Sequence, residues 1–144
     1  MNIYDNEPGI KSSVPHYYGD VVRTFFIIGG VVMIVTLPVF ADRIPVSFQL
    51  SLLAILVVGF LAGLTNPRHV WVMVINALVS AVAFFDFEYY AVSTYSSLTL
   101  FSNGFFWINQ ILAIDFFLAL YYSAKTIRGF YLRSQTEVRK SDKK

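Results

Sequence analysis

Four long stretches of the chain are apolar on every face and hold almost no charge. They cover residues 21–41, 46–64, 70–90 and 105–124, and together they form one domain at residues 21–124. Each stretch is close to the roughly 20 residues that a helix needs to cross a hydrocarbon core of about 30 Å. The pattern predicts an all-α integral membrane protein, a four-transmembrane-helix antiparallel bundle.

Polar segments set the expected limits of these helices. Residues 1–20 form a tail interrupted by prolines and glycines, and residues 125–144 form a polar, basic tail. Asp20 is expected to be the N-cap of the first helix, because a carboxylate suits a helix N-terminus. Ser47 or Pro45 is expected to open the second helix.

The positions of lysine and arginine predict how the chain is oriented. All of these residues except Arg43 lie in the tails, at the start of the first helix or in the turn between the second and third helices. Segments rich in lysine and arginine remain on the cytoplasmic side of a membrane. Both termini are therefore predicted to be cytoplasmic, which agrees with an even number of spans, since such a number places the two termini on the same side. The chain is predicted to be a multi-pass protein of the plasma membrane.

The first apolar stretch has some features of a signal peptide. Arg23 lies near its start and the small residue Ala41 lies at its end. The apolar part of a signal peptide has about 7–15 residues, whereas this stretch is longer and follows a tail that contains acidic residues. An uncleaved first span is therefore expected.

Composition limits the classes of function that are open to the chain. Hydrophobic residues make up 56% and charged residues 14%, against about 45–50% and about 25% in a soluble domain. The net charge of +2 is too small to indicate a nucleic-acid partner. There is no cysteine, and the two histidines lie on separate polar segments. No metal site and no cofactor are therefore expected.

Catalytic motifs are missing from the sequence. It contains no phosphate-binding glycine loop, dinucleotide-binding motif, nucleophile elbow or zinc-protease motif. Within the apolar stretches the only close pair of acids is Asp86 and Glu88, whose spacing directs them to different sides of a helix. The chain is therefore predicted not to be an enzyme.

Asp115 lies near the centre of the fourth apolar stretch. An aspartate at the centre of a membrane helix costs about 2.5–3.5 kcal/mol, so it normally faces protein or water. Asn76 and Ser80, one turn apart on the third stretch, are expected at the same depth and in the same interhelical contact. Asp115 then either binds a proton or cation or fixes helix packing, and the packing role is favoured because buried polar groups commonly join membrane helices.

A second polar layer is expected nearer the outer face of the membrane. Asp86, Asn109, Gln110 and Thr36 are predicted to lie within about one helical turn of one another. Either these residues form a vestibule for a cation or solute, or Asp86 and Glu88 simply reach headgroup water at the end of the third helix. The second interpretation is favoured, because ionisable groups cost little near the interface.

Two glycines mark a surface where helices can approach closely. Gly59 and Gly63 are four residues apart, the spacing of the close-packing motif of membrane helices. The motif serves either the internal bundle or a homodimer.

Basic residues open the C-terminal tail. Lys125, Arg128 and Arg133 alternate with large apolar residues. Either they continue the fourth helix along the cytoplasmic face, where each basic residue gains about 1 kcal/mol from anionic lipid headgroups, or they belong to a solvated cytoplasmic tail, which is slightly favoured.

The combined features predict a small structural or accessory subunit of a membrane assembly, joined either to copies of itself or to another membrane protein. The alternative is a small proton- or cation-coupled transporter or channel that uses Asp115, with Asp86 in the access path. A third possibility is a membrane anchor whose basic tail recruits a soluble partner.

Overall fold

The computed structural model is all-helical over the residues it describes, which are 17–44, 46–64, 70–95 and 104–141. The predicted all-α fold is confirmed over this part of the chain. The predicted turn after the second helix lies outside the described residues, as does Pro45. The four helices are α1 (Gly19–Phe40), α2 (Phe48–Leu64), α3 (Val70–Tyr95) and α4 (Gly104–Ser141).

Three of these helices are long and apolar enough to cross a membrane, namely α1, α3 and the part of α4 at Gly104–Gln135. The helix α2 is equally apolar but has only 17 residues. At about 1.5 Å per residue it covers about 26 Å, slightly less than a hydrocarbon core of about 30 Å. By length and composition, three of the four predicted spans are therefore supported.

Both helix starts with a predicted cap are described. α1 begins at Gly19 with Tyr18 in the N-cap position and no side-chain hydrogen bond to the helix, so Asp20 lies inside the first turn. The predicted Asp20 cap is therefore wrong, because the N-cap is Tyr18 and the helix begins two residues earlier than expected. Ser47 precedes α2, and its hydroxyl accepts a 3.4 Å hydrogen bond from the Leu50 amide, which confirms that Ser47 opens α2.

Two helices extend well beyond their predicted ends. α3 continues to Tyr95 and α4 continues for 38 residues to Ser141. The hydropathy pattern marked only the apolar part of each helix, whereas nothing in the polar sequence that follows breaks the helix. The added turn at the end of α3 brings the connection to α4 closer to Gly104, so the two helices are not paired as an end-to-end alignment of the apolar stretches assumes.

Helix α4 lies between α1 and α3, while α2 packs on α1 and hardly touches α3. Ring contacts show that α1 and α4 are antiparallel. Tyr18 contacts Tyr122 at a centroid distance of 5.5 Å, and Phe40 contacts Phe105 at 5.5 Å. The packing order is thus α2, α1, α4, α3, and the bundle is open on the side between α2 and α3.

Phe116 lies at the centre of the packed helices and is fully buried. Its ring stacks on Phe87 of α3 at 5.7 Å and meets Phe26 of α1 edge-on at 5.8 Å. The ring can approach α1 because residue 29 is a glycine, where a Cβ atom would lie 3.1 Å from Phe116 Cζ. One side chain therefore joins three helices at mid-length.

The outer surface of the helices carries many large apolar side chains. Examples are Val39, Phe60, Val82 and Phe85, which are exposed by 67–70%. A soluble monomer rarely exposes a contiguous apolar patch larger than a few hundred Å². Such a surface is expected where hydrocarbon is the solvent, in agreement with helices that cross a membrane.

Candidate functional site

A cavity of about 560 Å³ lies on the open side of the bundle, and all four helices line it. Leu53 and Val57 of α2, together with Leu78 and Val82 of α3, line the cavity and are also exposed. The cavity therefore opens laterally to the outside between α2 and α3. We call it the α2–α3 cavity.

Three residues of the predicted outer polar layer line this cavity: Thr36 of α1, Asp86 of α3 and Asn109 of α4. The fourth member, Gln110, does not line it and instead donates a 3.2 Å hydrogen bond to Glu88 Oε2. Asp86 and Glu88 thus lie on different sides of α3, as their spacing requires.

The hydrogen bonds of the cavity's polar residues remain largely within their own helices. Thr36 Oγ1 donates to the Val32 carbonyl at 2.7 Å, and Asn109 Nδ2 donates to the Phe105 carbonyl at 2.7 Å. Neither bond involves the Asp86 carboxylate. Asp86 is the one acidic residue among the described residues that line the cavity. No lysine, arginine or histidine is among them.

Asp115 is separate from the α2–α3 cavity. Its side chain is 8% exposed and points to α1, where a Cβ at Gly29 would lie 2.8 Å from Asp115 Oδ2. This oxygen has no hydrogen-bond partner among the described residues. Asp115 therefore occupies the packed contact between α1 and α4.

Asn76 and Ser80 are fully buried on α3, but they do not lie at the depth of Asp115. The contact of Phe87 with Phe116 puts Asp115 level with Phe87, which is two turns, or about 10 Å, from Ser80. Ser80 Oγ also has no hydrogen-bond partner among the described residues. The expected shared contact is therefore wrong, because the extended helices pair about two turns out of the assumed register.

Buried polar residues that the apolar pattern missed lie on the later part of α4. Ser123 and Thr126 are both fully buried. Thr126 Oγ1 accepts a 3.1 Å hydrogen bond from the Tyr18 amide and donates to the Tyr122 carbonyl at 2.9 Å. These contacts attach the start of α1 to α4. Ser123 and Thr126 are three residues apart, a spacing that puts two residues on one face of a helix. This spacing is the sequence feature that could have identified them.

Two of the three predicted headgroup residues lie together. Lys125 and Arg128 line a small pocket of about 310 Å³ beside Tyr18. Lys125 Nζ lies 4.6 Å from the centroid of the Tyr18 ring, within the range of a cation–π contact. Arg133 does not line this pocket.

The close-packing glycines of α2 lie on the surface. Gly59 and Gly63 are exposed, and a Cβ built at either would meet no described atom within 4 Å. The close approach inside the bundle uses Gly29 instead. The internal bundle therefore leaves the α2 motif unused.

No group of three or more histidine, aspartate or glutamate residues that could hold a metal ion is found within the described ranges. The chain matches no protein-family model, and comparisons with curated proteins and with solved structures find no similar protein. Function must therefore be inferred from the residues and their geometry.

Proposed function

We propose that the chain is a four-span membrane protein that serves as a non-enzymatic structural or accessory subunit of a membrane assembly. In this proposal α2 is the fourth span, both termini are cytoplasmic, and the assembly lies in the plasma membrane. Val46 precedes α2 and lengthens the apolar segment that is available to cross the membrane.

The exposed face of α2 is the observation that supports this role. Leu52, Leu56, Gly59, Phe60 and Gly63 follow helical spacing and are all exposed. Glycines four apart let a second helix approach closely, and van der Waals packing of this kind drives helix association in lipid. We propose that this face, the α2 glycine face, binds another copy of the chain or another membrane protein.

Substitution of both glycines of this face is expected to disrupt the assembly. Gly59→Leu with Gly63→Leu should lower the fraction of crosslinked complex in native membranes by about tenfold, because added side chains hold the partner backbone away. The measurement is crosslinking followed by mass spectrometry, which distinguishes a homo-oligomer from a complex with a different protein.

The matched control is Ala124→Leu, which enlarges an exposed small residue of α4 and should leave the complex unchanged. A wild-type chain that is monomeric and gives no crosslinked partner in its native membrane would refute the accessory role. Equal loss of complex in the Ala124 variant would show that the α2 glycine face is not the contact.

The basic pocket beside Tyr18 suits a lipid partner. Lys125 and Arg128 line it, and in the proposed orientation they lie near the cytoplasmic face. Anionic headgroups at that face attract such residues. We propose that this pocket, with Arg133 further along α4, holds the start of the C-terminal segment at the membrane surface.

A second candidate function, proton- or cation-coupled transport through Asp115, has one observation in its favour. Asp115 Oδ2 is buried and has no hydrogen-bond partner among the described residues. Against it, Asp115 does not line the α2–α3 cavity and instead packs against α1 at Gly29. The packing role is therefore the stronger proposal.

Asp115→Asn tests the two roles. We expect the folded variant and the wild-type chain to give equal proton flux in reconstituted vesicles under an imposed membrane potential. A packing role depends on the shape of the side chain, which Asn preserves, and not on its proton. A pH-sensitive dye inside the vesicles measures the flux. Wild-type flux above that of empty vesicles, abolished by Asp115→Asn while the fold survives, would replace the accessory role with transport.

A further inference from the structure

The shape of the α2–α3 cavity suits a small organic molecule that reaches it from the bilayer. Its volume of about 560 Å³ falls within the range of about 300–1,000 Å³ that is typical of small-molecule sites. Its opening is formed by exposed aliphatic residues of α2 and α3. A molecule dissolved in hydrocarbon can therefore enter sideways without passing through the bundle.

The charged residue of the cavity indicates the sign of the charge on its ligand. Asp86 is the one acid among the lining residues, and no basic residue accompanies it there. The segment that follows α3, residues 96–103, contains no lysine, arginine or histidine either. The turn after α1 contains one basic residue, Arg43, which does not line the cavity. An uncompensated carboxylate beside apolar walls attracts a cation and repels an anion.

Aromatic rings strengthen the preference for a cation with apolar groups. Phe40, Phe87, Tyr90, Phe105 and Phe116 all line the cavity. Aromatic faces attract cations that are partly desolvated, and they pack well against apolar substituents. A hydrated metal ion would gain little from these walls, since hard cations prefer several oxygen ligands.

A phospholipid is a weaker candidate for the same space. Its acyl chain would fit the apolar walls but would leave Asp86 without a partner, and its phosphate would be repelled by the carboxylate. A neutral apolar molecule would likewise make no use of Asp86.

We propose that the α2–α3 cavity binds lipophilic organic monocations, with the Asp86 carboxylate as counter-ion and the aromatic rings around the apolar substituents. This binding is a property of the single chain and does not depend on whether the chain joins an assembly.

Equilibrium binding of radiolabelled tetraphenylphosphonium tests the proposal. The full chain is placed in nanodiscs of phosphatidylcholine, one copy per disc, and empty discs give the background from lipid. We expect saturable binding that Asp86→Asn weakens by at least about tenfold, as expected for loss of a charge-assisted contact. Tetraphenylborate, which has the same shape and the opposite charge, should bind at least about tenfold more weakly than the cation.

A second variant tests the cavity itself. Ala54 lies on α2, is exposed and lines the cavity, so Ala54→Phe should fill part of the space without disturbing the core. We expect it to weaken binding by at least about tenfold. The matched controls are Glu88→Gln, two residues from Asp86 on another side of α3, and Ala124→Phe, which adds the same ring at an exposed alanine of α4 that does not line the cavity. Both should bind as the wild-type chain does.

Several results would overturn the proposal. One is the absence of saturable tetraphenylphosphonium binding by the folded wild-type chain. Another is equal binding by Asp86→Asn, and a third is equal affinity for tetraphenylborate. Native mass spectrometry that finds a phospholipid retained by the wild-type chain and lost in Ala54→Phe, with no cation binding, would assign the cavity to lipid. Because the discs hold single copies, these outcomes are independent of the subunit role.

Discussion

Replacement of Phe116 by alanine is expected to lower the free energy of unfolding by about 3 kcal/mol, the largest effect of any single truncation in the bundle. Truncation of a buried phenylalanine costs about 3–5 kcal/mol in soluble cores, and lipid offers the separated helices some of the lost contacts. Phe116 is fully buried and contacts Phe26 and Phe87 on two other helices. Titration from mild detergent into dodecyl sulfate, followed by circular dichroism, measures the loss.

Phe117 provides the control at the adjacent position. It is 50% exposed and contacts Phe84 of α3 at a centroid distance of 5.4 Å. Phe117→Ala should therefore cost about 1 kcal/mol or less, the energy of one aromatic pair. Equal destabilisation by the two variants would mean that Phe116 does not join the three helices as described.

Gly29→Leu is expected to lower the free energy of unfolding by about 2–3 kcal/mol, because excess volume in a packed core costs about 1–3 kcal/mol and occasionally more. Even the first added atom, Cβ, would lie 2.8 Å from Asp115 Oδ2 and 3.1 Å from the ring of Phe116. Leucine adds further atoms to the same space, so α1 and α4 must separate. The same dodecyl sulfate titration applies.

Gly59→Leu adds the same side chain where it meets no described atom within 4 Å. The free energy of unfolding of the monomer should stay unchanged or rise slightly, since leucine favours helix more than glycine does. The two variants compare a glycine that is packed against another helix, Gly29, with a glycine that has free space around it, Gly59. A loss of stability in the Gly59 variant equal to that in the Gly29 variant would contradict the described packing of α1 on α4.

Several features were predictable because they depend on local sequence alone. Helix formation and an apolar exterior follow from run length and composition, and the start of α2 follows from Ser47, whose hydroxyl caps it. The opposite sides of Asp86 and Glu88 follow from the period of the helix. Asp20 is not the cap, because the Val22 amide already donates to the Tyr18 carbonyl and the helix begins at Gly19.

Other features depend on contacts between distant segments. An alignment of the apolar stretches end to end put Ser80 beside Asp115, whereas the pairing of Phe87 with Phe116 separates them by two turns. The apolar pattern ended the third helix at residue 90 rather than at Tyr95, so it misplaced the connection to α4 and could not give the register. It also left open whether the glycines of α1 or those of α2 lie inside the bundle.

The sequence by itself determined that this is a helical chain with an apolar exterior, because solvent preference and helical period are properties of short segments. Only the tertiary structure decided that Asp115 packs on Gly29 and that Asp86 lines a cavity open between α2 and α3. The physical reason is that burial and access depend on which helices touch. That choice depends on the shapes of side chains far apart in the chain.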